Sequence, residues 1–490
     1  MTNEKDFNLT KKQRTLIMIP LLIGGFISLL NETLLNVAFP QLTASLHIST
    51  ATAQWLATAY MLIIGISVPL VAFLMETFTT KKLYLTAMTM FLLGTIGCGF
   101  SQSFFCLLIF RMLQGAGTGM LLPIMMNTVL TIYPPEKRGT AMGTSMIIVI
   151  AAPAIGPSLS GAVLGCLSWH WLFFLIIPFA VFAIIIAAIN IKNVSTLTKP
   201  KIDILSIFLS AIGFGGLIFG ISSVESMGFS NIIVIASLVC GIGGLYFFAK
   251  RQFSLKQPML ELRTFKFPIF TLGIILTMIA FMIPFSINII LPTYMQNSMK
   301  LTPFITGLIL MPGSIVSIIF TPLAGRLFDK IGAKLLVTTG FILLAIAMFF
   351  FSHITAATTL FMIIALHICV FLGIACISTP IQTNTLNQLP REYHTHGVAV
   401  MSTMQQIAAA FGSALFIGLM GAEQTKYLAR FKTPDILQQQ AAIIYGVNRA
   451  FTAALLLVVI ALILSFFIKR KVTTKNTLSQ KTTPVHAHES

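Results

Sequence analysis

Fourteen stretches of about 20 mostly apolar residues run through this chain, each long enough to cross roughly 30 Å of hydrocarbon at about 1.5 Å per helical residue. They lie near residues 16–37, 52–74, 83–101, 104–127, 140–163, 171–191, 203–221, 231–249, 267–291, 304–325, 334–351, 356–379, 398–420 and 447–468. Inside a bilayer the backbone must satisfy its own hydrogen bonds, so each stretch is expected to be a helix and the chain an all-α integral membrane protein. Charged residues make up 9% of the 490, against about 25% in soluble domains, and mean hydropathy is +0.93.

A formal net charge of +18 could suggest nucleic acid, so the positions of the basic residues decide its meaning. Lys5, Lys11, Lys12 and Arg14 precede the first stretch. Alternate connections then hold Lys81 and Lys82, Lys137 and Arg138, Lys192, Lys199 and Lys201, and Lys250, Arg251, Lys256, Arg263 and Lys266. Arg326, Lys330, Lys334, Arg391 and Lys469 complete the series, while the intervening connections carry Lys300, Lys426, Arg430, Lys432 and Arg449. The basic side is expected to face the cytoplasm, with both termini there. The charge marks topology, and the expected partner is the lipid bilayer, with no nucleic acid. The six cysteines lie in or beside the apolar stretches without a Cys-x-x-Cys pair, and read as small apolar residues. The first apolar run is too long for a cleavable signal and is expected to remain as a helix. The connection over 421–446 reads as a polar loop.

PLVAFLMETFTTKK (69–82) and PLAGRLFDKIGAKL (322–335) align without gaps. Pro69 matches Pro322, Leu74 matches Leu327, Glu76 matches Asp329 and Lys81 matches Lys334. They follow the second and tenth stretches, so the repeat is parallel. With six helices in each half, the seventh and eighth stretches become an insertion. Gly325-x-Leu-x-Asp-x-x-Gly-x-Lys334 resembles the cytoplasmic loop motif of the major facilitator superfamily, and the fourteen-stretch layout resembles its drug:proton antiporter branch of lincomycin-resistance-type exporters. The resemblance implies two six-helix bundles, 16–191 and 267–468, two inserted helices in 203–249, and cytoplasmic tails at 1–15 and 469–490. Glu76, Lys81, Lys82, Gly325, Arg326, Asp329, Lys330, Gly332 and Lys334 would form a cytoplasmic gate, with Asp329 holding Arg326 or Lys330. In the first copy Ala72 and Thr79 stand in place of the glycines and Glu76 in place of the aspartate. The plainer alternative is a pair of helix turns with basic flanks.

Arg111 interrupts the fourth stretch, in RMLQGAGTGMLLP (111–123). A charge at the bilayer centre costs about 2.5–3.5 kcal/mol on insertion scales, so it is expected to face a cavity or a partner, the alternative being to snorkel outward. Gln114 shares its face, and Gly115 with Gly119 form a small-x-x-x-small pair. Glu32 lies eight residues before Pro40 and Arg111 eight after Ser103, so each sits about 12 Å below the outer surface. The two are expected to pair, with Glu32 the proton carrier and Arg111 its tuning partner; a static ion pair is the alternative. The resembled family reads Leu-Asp-x-Thr-x-x-Asn-x-Ala-x-Pro here, matched by Thr33, Asn36, Ala38 and Pro40, but Asn31 occupies the aspartate position and Glu32 follows it.

GTSMIIVIAAPAIGPSLSG (143–161) resembles the antiporter motif of the fifth helix: Gly143, Gly156, Pro157 and Gly161 match, Ala152 and Ser160 are small substitutes, and Pro153 and Pro157 should bend the helix. Trp55 reads as an interfacial anchor. His367 could titrate or be a hydrogen-bonded core residue, and Asn31, Asn36, Gln114, His367, Gln405 and Gln406 are candidates to line a cavity or touch substrate. His486 and His488 are too few to indicate a metal. No phosphate-binding loop is present in the sequence and no nucleophile, base and metal set gathers at one depth, so no enzyme and no cofactor is expected. The reading is a monomeric plasma-membrane exporter of amphipathic drug-like small molecules that draws on a proton gradient by alternating access. A symporter or importer on the same fold, and less so a non-transporting receptor, are the rivals.

Overall fold

The computed structural model describes residues 10–48, 50–193, 203–228, 231–255, 257–431, 433 and 435–469. Lys5, Lys199, Lys201, Lys256, Lys432, His486 and His488 lie outside them, as do most of both expected tails. The long elements are α1 (Lys11–Leu46), α2 (Thr50–Thr77), α3 (Thr80–Phe100), α4 (Phe104–Ile132), α5 (Arg138–Leu164), α6 (Trp171–Phe174), α7 (Ile177–Asn190), α8 (Ile204–Met227), α9 (Ile232–Ser254), α10 (Pro268–Asn297), α11 (Pro303–Ile331), α12 (Ala333–Phe351), α13 (Leu360–Asn387), α14 (His394–Leu428) and α15 (Ile436–Ser465). Among the described residues thirteen helical segments are long and apolar enough to cross a membrane, α6 and α7 counting as one. The 27-residue α5 completes the set of fourteen long segments.

Helix starts follow local chemistry. The hydroxyls of Thr10, Ser103, Thr302 and Thr359 accept backbone N–H groups of α1, α4, α11 and α13, satisfying donors that have no partner within the first turn. Three expectations change. The sixth segment is broken between Phe174 and Ile177, where Pro178 in the first turn of α7 has no N–H to continue the ladder. α1 continues past Pro40 to Leu46. The expected loop over 421–446 is largely helix, because α14 runs to Leu428 and Asp435 with Gln438 forms a capping box that starts α15.

The second half is built around a core that includes Ile283, Phe341, Val370 and Phe451. The core of the first half, containing Leu21, Phe91, Met125 and Met142, also takes in Phe270, Leu386, Val398 and Met401 from the second. The two halves therefore share apolar packing at the end where the basic connections gather. Two crossed contacts dominate the junction, α5 against α11 and α14 against α2, and smaller ones join α5 to α13 and α4 to α14. α8 and α9 pack on each other, and α8 also lies against both α2 and α14.

Candidate functional site

At the centre of the first half, α4 carries Arg111, which is 0% exposed. One nitrogen, Nη1, donates to Asn31 Oδ1 of α1 at 2.6 Å and to Gln114 Oε1 one turn along α4 at 2.7 Å. Gln114 is itself held, its Nε2 donating to Thr95 Oγ1 of α3 at 2.7 Å. The flat face of the guanidinium lies 4.0 Å from the ring centre of Tyr60 on α2, a cation–π contact worth about 2 kcal/mol or more when desolvated. The Tyr60 hydroxyl, 2.8 Å from Thr118 Oγ1, donates to Ser28 O at 3.3 Å, so α1, α2 and α4 fix the ring. α2 and α4 come this close because a Cβ on Gly115 would stand 2.9 Å from Tyr60 O. The other edge of the guanidinium, Nε and Nη2, is buried without a hydrogen-bond partner.

Glu32 is half-buried and makes no ion pair or hydrogen bond with Arg111. The expected contact is made instead by Asn31, one position earlier, because one residue turns a side chain by about 100° around the helix. The Nε and Nη2 edge of a guanidinium matches a carboxylate in bidentate geometry. Of the other candidates read from the sequence, Gln405 of α14 is buried with Nε2 unpartnered and Gln406 is half-buried. The side chain of Asn36 lies outside the described part.

His367 is the eighth residue of α13, as Arg111 is of α4. It is 1% exposed, with neither ring nitrogen hydrogen-bonded, so it is not the hydrogen-bonded core histidine of the plainer expectation. Its ring lies 4.6 Å from that of Phe371 and presses Nδ1 toward Gly313 of α11.

The basic end holds the second set of flagged residues. Asp329, at the end of α11, accepts Gly139 N and Thr140 N, each at 2.9 Å, and Thr140 Oγ1 at 2.6 Å. It therefore caps the first turn of α5 in the other half rather than holding Arg326 or Lys330, both of which are exposed. Its aligned partner Glu76, at the end of α2, receives His396 Nε2 of α14 at 2.9 Å. Across the same seam Arg138 Nη1 donates to Asn387 Oδ1 at 2.7 Å and Thr395 Oγ1 to Asn127 Oδ1 at 3.3 Å. Sulfur acceptors add Gln382 Nε2 to Met146 Sδ at 3.8 Å and Ser402 Oγ to Met126 Sδ at 3.9 Å. Gly325 is buried against α5, where a Cβ would lie 2.3 Å from Gly139 O, and Gly332 turns the chain at φ 84°. Thr79, in place of a glycine, sits at φ −65° and caps α3 with its hydroxyl, so the first copy needs no glycine there. Lys81 Nζ donates to Ala188 O, Lys82 lies over the Phe78 ring and Lys334 is exposed.

The fold and both copies of the loop now stand beside a match of the sequence to the Major Facilitator Superfamily profile over residues 21–413. The chain belongs to that superfamily. It is 46% identical over 457 residues to the lincomycin resistance protein LmrB of Bacillus subtilis (strain 168), covering 93% of this chain and 95% of the relative. It is 42% identical over 454 residues to the LmrB of Listeria monocytogenes, covering 93% and 96%. The human organic anion transporter MFSD10 (TETRAN) shares the fold, with a TM-score of 0.65 at 12% identity, covering 92% of this chain and 99% of that one. As a major facilitator, the chain moves small molecules across a membrane and is not an enzyme. Among the described residues no cluster of His, Cys, Asp and Glu could hold a metal.

Other motif residues fall into place within this fold. On α5, Gly143 faces Thr321 and Pro322 of α11, and Gly156 faces Thr33 of α1, so the helix is wedged between α1 and α11. Ala152 is buried, a Cβ on Gly161 would meet nothing within 4 Å, and the side chains of Pro153 and Pro157 lie outside the described part. Trp55 is 40% exposed and stacks on Phe219 of the inserted α8 at 5.5 Å. Tyr60, Thr95 and His396 were missed by sequence reasoning. Tyr60 and Thr95 are ordinary residues for an apolar helix. The match of Pro69 with Pro322 would have set Tyr60 level with Gly313, but that marks a position and assigns no role.

Proposed function

We propose that this protein is a proton-driven exporter of amphipathic, drug-like organic compounds. The basic end faces the cytoplasm, both termini lie there, and the chain works in the plasma membrane as a monomer. Two relatives named for lincomycin resistance, each matched over most of its length, support the export of such compounds. The observation that carries the coupling is the unpartnered Nε and Nη2 edge of Arg111, with a half-buried carboxyl one residue from the amide already bound to it.

In this reading Glu32 stays apart from Arg111 while protonated. When it gives up its proton, its carboxylate gains the guanidinium edge and the buried cation gains a counter-charge. Each event makes the other more favourable, which is what coupling requires. Substrate and proton then compete for the central chamber, and the two halves rock between a closed and an open basic end. The seam at the basic end is closed here.

Transport into everted vesicles tests the reading. The native chain should accumulate a lipophilic dye on acidifying the lumen and lose it with a protonophore, and Glu32→Gln should abolish the accumulation. Undiminished proton-driven accumulation by Glu32→Gln would remove the carboxyl from the mechanism.

A further inference from the structure

The inserted pair α8 and α9 plays no part in the chemistry above, yet a chain of hydrogen bonds leads from it to the junction between the halves. Asp203, just before α8, accepts Arg251 Nε at 2.7 Å and Nη2 at 2.8 Å from α9, together with the Ser206 hydroxyl. Gln252 of α9 donates Nε2 to Ser206 Oγ at 2.7 Å and accepts Leu260 N on Oε1 at 3.1 Å. The next residue, Glu261, gives its N–H to His396 Nδ1 at 3.3 Å. With Nδ1 accepting, the proton of a neutral imidazole sits on Nε2, which donates to Glu76 at 2.9 Å. Ser206, Gln252, Leu260, Glu261 and His396 are all 7% exposed or less, so water does not replace a lost link. α8 also packs along α2 and α14, the two helices that Glu76 and His396 join.

We infer that the inserted pair is a brace for the gate: through Gln252, the Leu260–Glu261 backbone and His396 it positions the contact that holds α2 against α14. His396 is the joint, held on one side by the insertion's connector and on the other by Glu76. This rests on the alternating-access reading above.

Ser402, 6% exposed on α14 and bonded across the seam to Met126, gives a reporter. Ser402→Cys is placed in a full-length chain whose own cysteines are serines, and its rate of labelling by a permeant maleimide is measured. Labelling should be slow in that background and about tenfold faster with Glu76→Gln. Gln252→Met should give the same acceleration, and the pair no more than either alone, since both break one path. Ser206→Ala is the milder second variant and decides the question should Gln252→Met fail to fold. Retained dye transport, at whatever rate, separates a loosened gate from an unfolded chain.

Two results would overturn the brace: labelling of Gln252→Met and Ser206→Ala within twofold of the background, or effects of Gln252→Met and Glu76→Gln that multiply independently. Failure of the alternating-access reading looks different, because then even Glu76→Gln combined with Asp329→Asn leaves labelling slow.

Discussion

Arg111 is buried from water and has no ion-paired carboxylate, and it keeps its charge through Asn31, Gln114 and the Tyr60 ring. Tyr60→Phe keeps the ring face and loses the hydroxyl bonds, which should cost about 1 kcal/mol; Tyr60→Leu should cost about 2 kcal/mol more by removing the face. Thermal unfolding in detergent would rank the two. Asn31→Asp sets a permanent carboxylate against the guanidinium, so the protein should stay at least as stable while proton-driven export falls about tenfold or more, roughly 1.4 kcal/mol of lost coupling. Full export by Asn31→Asp would mean that Arg111 needs no mobile counter-charge. The arginine itself is legible in the sequence, because a charge in a long apolar run needs a reason. Which side chain meets it is not: Asn31 and Glu32 are adjacent letters, and the rotation of one residue decides between a buried contact and a half-buried carboxyl.

Helices were the most legible level, since hydropathy and capping residues place them almost completely. The departures come where a local signal competes with it, as in the proline break between α6 and α7 and the capping box that turns an expected loop into α15. Contacts between helices were less legible. Asp329 was expected to hold a nearby cation, but the unsatisfied N–H groups at the start of α5 form the better-aligned partner. Asp329→Asn should weaken that cap by about 1–2 kcal/mol, shifting the closed end toward open by about 5–30-fold. Faster maleimide labelling of Met146→Cys would show it; an unchanged rate would leave Asp329 without a share in closure. At the insertion, Arg251 holds the Asp203 carboxyl below its ordinary range. The ionised form then favours the fold: its contribution is whole above the ordinary aspartate range and is lost as pH falls through the lowered value. Asp203→Asn should therefore unfold at lower temperature than the native chain at neutral pH, with the gap closing in strong acid.

Across the whole molecule, two halves meet at the basic end by crossed contacts, α11 on α5 and α2 on α14, while α1 and α4 of the first half hold an acid and a buried cation apart. The internal repeat in the sequence predicted the parallel halves. It could not predict that aligned Glu76 and Asp329 would bind an imidazole in one place and a helix terminus in the other, because those partners lie far away along the chain. The account joins the two regions through one exchange, in which the guanidinium edge takes the Glu32 carboxylate when the proton leaves. Proton release from purified protein in weakly buffered detergent solution, on adding a transported substrate, tests that exchange most directly. Close to one proton per bound substrate from the native chain and none from Glu32→Gln is the predicted result, whereas equal release from both, or none from either while substrate binds, would contradict it.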